Sequence, residues 1–397
     1  MGFNDLIGCQ RAPLGRKPAY AAAVRTAEAR RLTSLFSGKR GFSFVRLGDY
    51  EVAYLLAAES GNTETIFPAD GVVSGTQGTG SPGLAIAQAS RLRVALEQAN
   101  YLDYHDLLWN DRTLLTRLAL QRAHGCTHNP SRETSYIVPA WFEQEFKTYC
   151  RNRRVLFCGA EAPLLEELLR SQEFRQASAD FWPEECKAFF LRPRDNGCNL
   201  AGSLDHIKQD LADSISRWSI DTLFLSLGGG AKILCQELAS ELGICAVDFG
   251  ALLRSLTYSG SDGNRASRAT HTVFLFRVPF GLYMDALEKT FPDLTSEELL
   301  AKVHAQLLLE VQEKERGWSH SAWENDFSSE NTAYFQEGFG EYKRRYRNLF
   351  KKSDRTRKER ADFLHFCGIH KLTWEGRIFL AKFRAKSVIA RMLKVRQ

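Results

Sequence analysis

DTLFLSLGGGAKILCQELASELGICAVDF, residues 221–249, decides the fold. Asp221–Leu227 is an apolar run rich in β-formers, and Gly228-Gly229-Gly230 interrupts it. Ala231–Leu242 then reads as a helix, with Ile233, Leu234, Leu238 and Leu242 on one face and Lys232, Gln236, Glu237 and Glu241 elsewhere. Ile244–Phe249 is a second apolar run. Strand, tight turn, helix and strand within thirty residues make a βαβ unit, and such units build parallel sheets. The expected fold is therefore α/β, a Rossmann-like and mainly parallel sheet with flanking helices.

Outward from this unit the same signals recur. Residues 18–38 are rich in helix formers and lead into a strand at 42–47. Val52–Glu59 reads as a helix, 71–82 as a Gly/Thr/Ser-rich loop, and 84–99 as another helix. Val155–Gly159 is a buried strand with a helix behind it at Pro163–Ser171, and 203–217 is helical. Residues 257–270 form a polar loop in which Arg265 and Arg268 could close over a donor, or which could equally be a disordered connector, and 271–278 reads as a strand. The reading divides the chain into a domain over 1–285 and a mostly helical, basic region over 286–397.

Composition narrows the function classes. With 44% hydrophobic and 25% charged residues, the 397-residue chain is an ordinary globular protein. No apolar stretch reaches the length of a membrane span, and Met1–Lys17 lacks the apolar core of a signal peptide. The nine cysteines are scattered without a C-x-x-C pair, so the expected location is a reducing cytoplasm. Charge is uneven. Residues 341–397 hold 18 Lys/Arg against 5 Asp/Glu, a net of +13, while the whole chain is +6 and residues 1–340 thus about −7. A basic, aromatic-bearing tail suits packing on an acidic body, or peripheral contact with an anionic membrane. Nucleic acid is not the expected partner, because the sheet-bearing body is acidic.

Candidate chemistry lies at the ends of the predicted strands. After the apolar run at 42–47 come Gly48, Asp49, Tyr50 and Glu51. Carboxylates at i and i+2 of an extended chain share one side and can converge on a hard divalent cation, Mn²⁺ or Mg²⁺. The same acids could instead complement the dipole at a helix N-terminus. Gly228–Gly230 with Lys232 could cradle a diphosphate at a helix start, or could serve strand–helix packing alone. In Arg194-Asp195-Asn196-Gly197, Asn196 could contact a base or ribose, or hold an Asx-turn. Asp248, at a strand's C-terminal end, is a candidate base. His124-x-Cys126-x-His128 lacks zinc-site spacing and reads as a surface loop.

Five segments, which follow one another along the chain in the family's order, resemble those of the GT-D fold glycosyltransferases. That family's V-R-F-G-D-G-E strand end is similar to Val45–Glu51, and its L-G-P-T-A-K turn to Leu227–Lys232. Its A-I-D-I-G-H strand end is similar to Ala246–Ala251. Gln77 with Ser81-Pro82 is similar to its Q-x-x-S-P-E-L segment, and Arg194–Asn196 to its P-x-x-N-A loop. The resemblance covers about residues 20–260. It implies transfer of a sugar from a nucleotide diphosphate sugar to a glycan or glycoconjugate acceptor, assisted by a metal. It implies that Asp49 and Glu51 are the activity-critical, metal-holding pair. The matched Arg46, Gly48, Gln77, Asn196, Gly228, Gly229, Gly230, Lys232 and Asp248 are the expected substrate-binding residues. Three departures stand out: Tyr50 for the central glycine, Gly229-Gly230 for Pro-Thr, and Ala251 for the histidine. They leave open an alternative, a nonenzymatic nucleotide- or glycan-binding protein of the same fold.

Overall fold

In the computed structural model the described residues are 18–38, 41–47, 51, 55, 88–104, 127–128, 134, 137–193, 204–250, 252–257, 278–290, 344–352 and 354–371, with 295, 298, 378, 381–382 and 384–385. The chain divides into two compact units, one of residues 1–166 and 180–253, the other of 167–179 and 254–397. The boundary expected near 285 thus lies inside the second unit.

The first unit is built on a parallel sheet. Its strands are β1 (Phe42–Leu47), β2 (Tyr101–Tyr104), β3 (Thr127–His128), β4 (Arg154–Gly159), β5 (Lys187–Leu191), β6 (Thr222–Ser226) and β7 (Cys245–Asp248). They lie in the order β3-β2-β1-β7-β6-β4-β5, and every pairing is parallel. His128 accordingly belongs to an edge strand paired with Leu102, not to the surface loop expected from its sequence. Two residues are too short a strand to show any periodicity.

Parallel strands covered on both faces must be apolar on both sides. Alternation in β1 sends Phe42 and Phe44 to one face and Val45 and Leu47 to the other. Val45 and Leu47 join Leu102, Leu156, Leu223, Leu225 and Ala246 in an aliphatic core. Covering it are α2 (Ala89–Gln98), α6 (Leu204–Trp218) and α7 (Gly229–Leu242), through Leu92, Leu96, Ile207, Leu211, Ile233, Leu234 and Leu238. The opposite face is aromatic. Phe36 of α1 (Pro18–Gly38) meets Phe42, Phe44 and, on α3 (Ile137–Cys150), Trp141 and Tyr149, at centroid distances of 5.1–5.9 Å. Phe157 and Phe224 stack across β4 and β6 at 5.0 Å, with Phe146 of α3 5.8 Å from Phe224.

Gly41 shows how tightly β1 enters the sheet. Its φ is +70°, and a Cβ there would lie 2.8 Å from the Ala239 carbonyl oxygen. Only glycine fits both the conformation and the space.

The second unit is helical where described. Phe174 of α5 (Gln172–Ala177) packs edge-on against Tyr283 of α9 (Gly281–Thr290) at 5.6 Å. Asp362 of α11 (Arg357–Lys371) accepts hydrogen bonds from the Phe280 N–H at 3.0 Å and Arg345 Nε at 3.1 Å. Arg345 lies on a helix at 344–351, α10. Gly281 lets the Lys358 backbone approach so closely that a Cβ would meet its carbonyl oxygen at 2.3 Å. Among the described residues no helix is long and apolar enough to cross a membrane. The strand expected at 271–278 and the loop at 257–270, with Arg265 and Arg268, lie almost wholly outside the described residues.

Trp141 is wholly buried where α1, α3 and the aromatic face of the sheet meet. Trp141→Ala should cost the first unit about 3–5 kcal/mol. Replacing the exposed Val94 by alanine should cost less than about 0.5 kcal/mol. Urea unfolding of the two variants, followed by circular dichroism, measures the difference.

Candidate functional site

The C-terminal ends of β1, β7 and β6 lie side by side at the centre of the sheet, the edge where doubly wound sheets take ligands. The pairing of β1 with β7 runs from Phe42–Cys245 to Phe44–Val247 and stops there. Beyond that point the Arg46 N–H finds a side chain in place of a carbonyl and donates to Asp248 Oδ2 at 3.3 Å. The carboxylate at the end of one strand thus caps its neighbour.

From β6 the chain turns into α7 through Gly228, whose φ of +53° and ψ of −133° belong to a region that side chains disfavour. The helix begins at Gly229, two residues earlier than the sequence pattern predicts. Gly229 and Gly230 are buried in its first turn, and the Gly230 N–H donates to the Leu227 carbonyl at 3.1 Å. Packing therefore uses Gly229 and Gly230, and Gly228 alone faces solvent.

One turn into α7 stands Lys232, only 7% exposed. Its ammonium lies 2.9 Å from Asp248 Oδ2 and 3.2 Å from Glu51 Oε1. It also donates to the Gly228 carbonyl at 3.1 Å. An ammonium has three protons, and these three contacts use all of them. Lys232 is therefore an interior clamp. Contact with a phosphate would require it to release one of these partners.

Glu51 is 5% and Asp248 0% exposed, so all three charges are withdrawn from water. Burial opposes the Lys232 charge, but Asp248 and Glu51 outweigh it and hold the lysine above its usual range. Asp248 Oδ1 is buried and has no hydrogen-bond partner. A base must reach an acceptor hydroxyl. Asp248, sealed and already engaged by Lys232 and Arg46, is placed to organise the site.

Arg46 occupies the other side of β1. Its register partner on β2 is Asp103, 2% exposed, and Arg46 Nε lies 3.9 Å from Asp103 Oδ2. Beneath the guanidinium is Gly250, with φ +55°. The Gly250 N–H donates to the Leu225 carbonyl at 3.3 Å, and its own carbonyl accepts from Ser226 Oγ at 2.6 Å.

Of the residues expected at the site, Arg46, Glu51, Gly228, Lys232 and Asp248 come together in one group of contacts. Gly48, Asp49, Gln77 and Asn196 lie outside the described residues, as do Tyr50, Arg194, Asp195, Ala251, His124 and Cys126. Sequence reasoning missed Asp103 and Ser226, and named Gly250 only within the Ala246–Ala251 match. An acid inside the otherwise apolar run Tyr101-Leu102-Asp103-Tyr104 was the available signal for the first. Among the described residues no group of three or more His, Cys, Asp or Glu is arranged to hold a metal ion. The hard-oxygen pair expected for a metal consists of Glu51, which is described, and Asp49, which is not.

Removing the clamp leaves two buried carboxylates unneutralised, so Lys232→Met should cost about 3–5 kcal/mol. Asp248→Asn in the same chain should restore part of that loss, measured by chemical denaturation. The folded lysine is raised above its unfolded value of about 10.4. Its contribution should hold in full below about pH 10 and decline as pH rises further, because the unfolded chain loses the proton first. Comparison with known proteins finds no matching family model, no matching curated protein and no matching solved structure.

Proposed function

We propose that this chain is a metal-assisted glycosyltransferase, moving a sugar from a nucleotide diphosphate sugar to a glycan or glycoconjugate acceptor. One observation carries the reading. Arg46, Glu51, Gly228, Lys232 and Asp248, drawn from segments far apart in sequence, converge at the C-terminal edge of three adjacent strands. These are the segments on which the resemblance to GT-D fold glycosyltransferases rests.

In this reading Asp49 and Glu51 hold Mn²⁺ or Mg²⁺. Two carboxylates from protein, with positions left for substrate oxygens, suit a hard cation. When bound, the ion supplies positive charge where the departing diphosphate gathers negative charge. Lys232 keeps Glu51 in place and balances its charge against that of Asp248. Gly228, exposed at the mouth of the turn, allows close approach of a ligand, and Gln77 and Asn196 complete the substrate-binding set.

The alternative is a nucleotide- or glycan-binding protein without turnover. The Lys232 ammonium favours it, because Glu51 already has a cation at 3.2 Å. Thermal shift with a panel of nucleotide sugars, with and without Mn²⁺, followed by donor hydrolysis, separates the two. Under the enzyme reading, Asp49→Asn and Glu51→Gln should each lower donor turnover by at least about a hundredfold in a folded protein. Turnover unchanged in both would defeat the metal role, and donor binding without any turnover would favour the binder.

The basic C-terminal region is proposed to touch anionic membrane peripherally, bringing a cytoplasmic enzyme to a membrane-borne acceptor. The charge of residues 341–397 supports this. The full chain should sediment with vesicles containing phosphatidylserine and remain in solution with phosphatidylcholine alone. Equal behaviour with both would remove the membrane role.

A further inference from the structure

We propose that Cys150 and Cys186 form a reversible oxidation site, which closes to a disulfide when a peroxide oxidises the half-buried Cys186. The inference is independent of the nucleotide-sugar reading. It concerns the other edge of the sheet, where the strands begin. Two backbone hydrogen bonds set the pair side by side. The Arg153 N–H donates to the Cys150 carbonyl at 3.1 Å, at the end of α3, and the Lys187 N–H donates to the Arg153 carbonyl at 3.0 Å, at the start of β5. Arg154 and Lys187 then open the pairing of β4 with β5. Cys186 precedes Lys187, and its side chain lies within hydrogen-bond reach of the Cys150 thiol. Both thiols are free, and adjoining backbone with facing sulfurs is what a disulfide requires.

The other described cysteines are placed differently. Cys158 and Cys235 belong to the aliphatic core, and Cys245 bonds with the Tyr149 hydroxyl. Within the pair the two thiols are unlike. Cys150 is wholly buried, and burial holds its thiol protonated well above the ordinary range. Cys186 is half-buried, between the exposed Glu185 and Lys187. An oxidant from solvent therefore meets Cys186 first. Its thiolate sulfur attacks one oxygen of hydrogen peroxide, the O–O bond breaks, and the other oxygen leaves as hydroxide that takes up a proton. The Cys150 sulfur next attacks the sulfur of the Cys186 sulfenic acid. The S–S bond forms, the S–O bond breaks, and the Cys150 proton departs with the hydroxide as water. Two thiols have lost two electrons, and one peroxide has become two waters. Arg153, whose charge favours the Cys150 thiolate, eases loss of that proton. The new bond closes a loop over residues 150–186 that contains β4, and so restricts the unfolded chain.

Mass spectrometry of the full-length protein tests this, after hydrogen peroxide treatment, alkylation of the remaining thiols and digestion without reductant. A peptide pair joined through Cys150 and Cys186 should appear, two hydrogens lighter than the reduced pair, and dithiothreitol should remove it. Cys150→Ala should abolish the link and leave Cys186 as a sulfenic acid that dimedone traps. Cys186→Ser should abolish the link and leave Cys150 reduced, because the sealed thiol meets no oxidant of its own. This second variant, at a half-buried position, decides the matter should Cys150→Ala fail to fold. The melting midpoint of the oxidised wild type should rise by about 5 °C or more, and that of Cys186→Ser should stay where it is. Oxidation of Cys186 without a link to Cys150, oxidation of Cys150 in Cys186→Ser, or a link that lowers the midpoint would each overturn the inference, whatever the nucleotide-sugar experiments give.

Discussion

A single buried ammonium ties together the C-terminal edge of the central strands. Lys232 ties α7 to the end of β7 through Asp248, to the segment following β1 through Glu51, and to its own helix start through Gly228. Charges taken out of water are costly, and a partner is what makes them tolerable. Three segments from opposite ends of the first unit thereby depend on one another. None can move outward without exposing an unneutralised group. The site is thus organised from inside the fold, before any ligand enters.

The sheet makes that clamp possible. In a parallel sheet every strand ends at the same edge, so residues just past the strands are neighbours however far apart they lie in the chain. The order β2-β1-β7-β6 brings Asp103, Arg46, Asp248 and Gly228 to that edge. The two faces behind it are unlike. Aliphatic side chains under α2, α6 and α7 form one core, and the rings of Phe36, Trp141, Phe146, Phe157 and Phe224 form the other. Both leave the strand ends held from above and below.

How much of this could be read from residues alone follows from the range of the forces involved. The unit β6-α7-β7 was legible because its apolar spacing switches cleanly from strand to helix and back. Strand β1 and helices α1 and α6 were legible for the same reason. Strands β2 and β5 were not: four residues around Asp103, and five opening on Lys187, carry too little periodicity. At the site, residue type was legible and partnership was not. Lys232 beside three glycines reads as a phosphate contact, a pattern of neighbours in sequence. Its real partners, Glu51 and Asp248, lie about 180 and 16 residues away. Only the strand order makes them adjacent.

The glycines sharpen the same distinction. In Gly228-Gly229-Gly230 the composition suggests one loop, yet the three play different parts. Gly228 takes a backbone conformation closed to most residues, while Gly229 and Gly230 are buried in the first turn of α7. Gly250 lies outside that run, in the Ala246–Ala251 segment matched to A-I-D-I-G-H. Its lack of a Cβ is felt by Arg46, some two hundred residues earlier in the chain. A missing methyl group leaves no mark on hydrophobic periodicity, and its effect is steric and wholly tertiary. The Arg46 guanidinium occupies space that a side chain at 250 would take, and the Glu51 carboxylate lies against an ammonium from the opposite end of the unit; both neighbourhoods exist only in the folded chain.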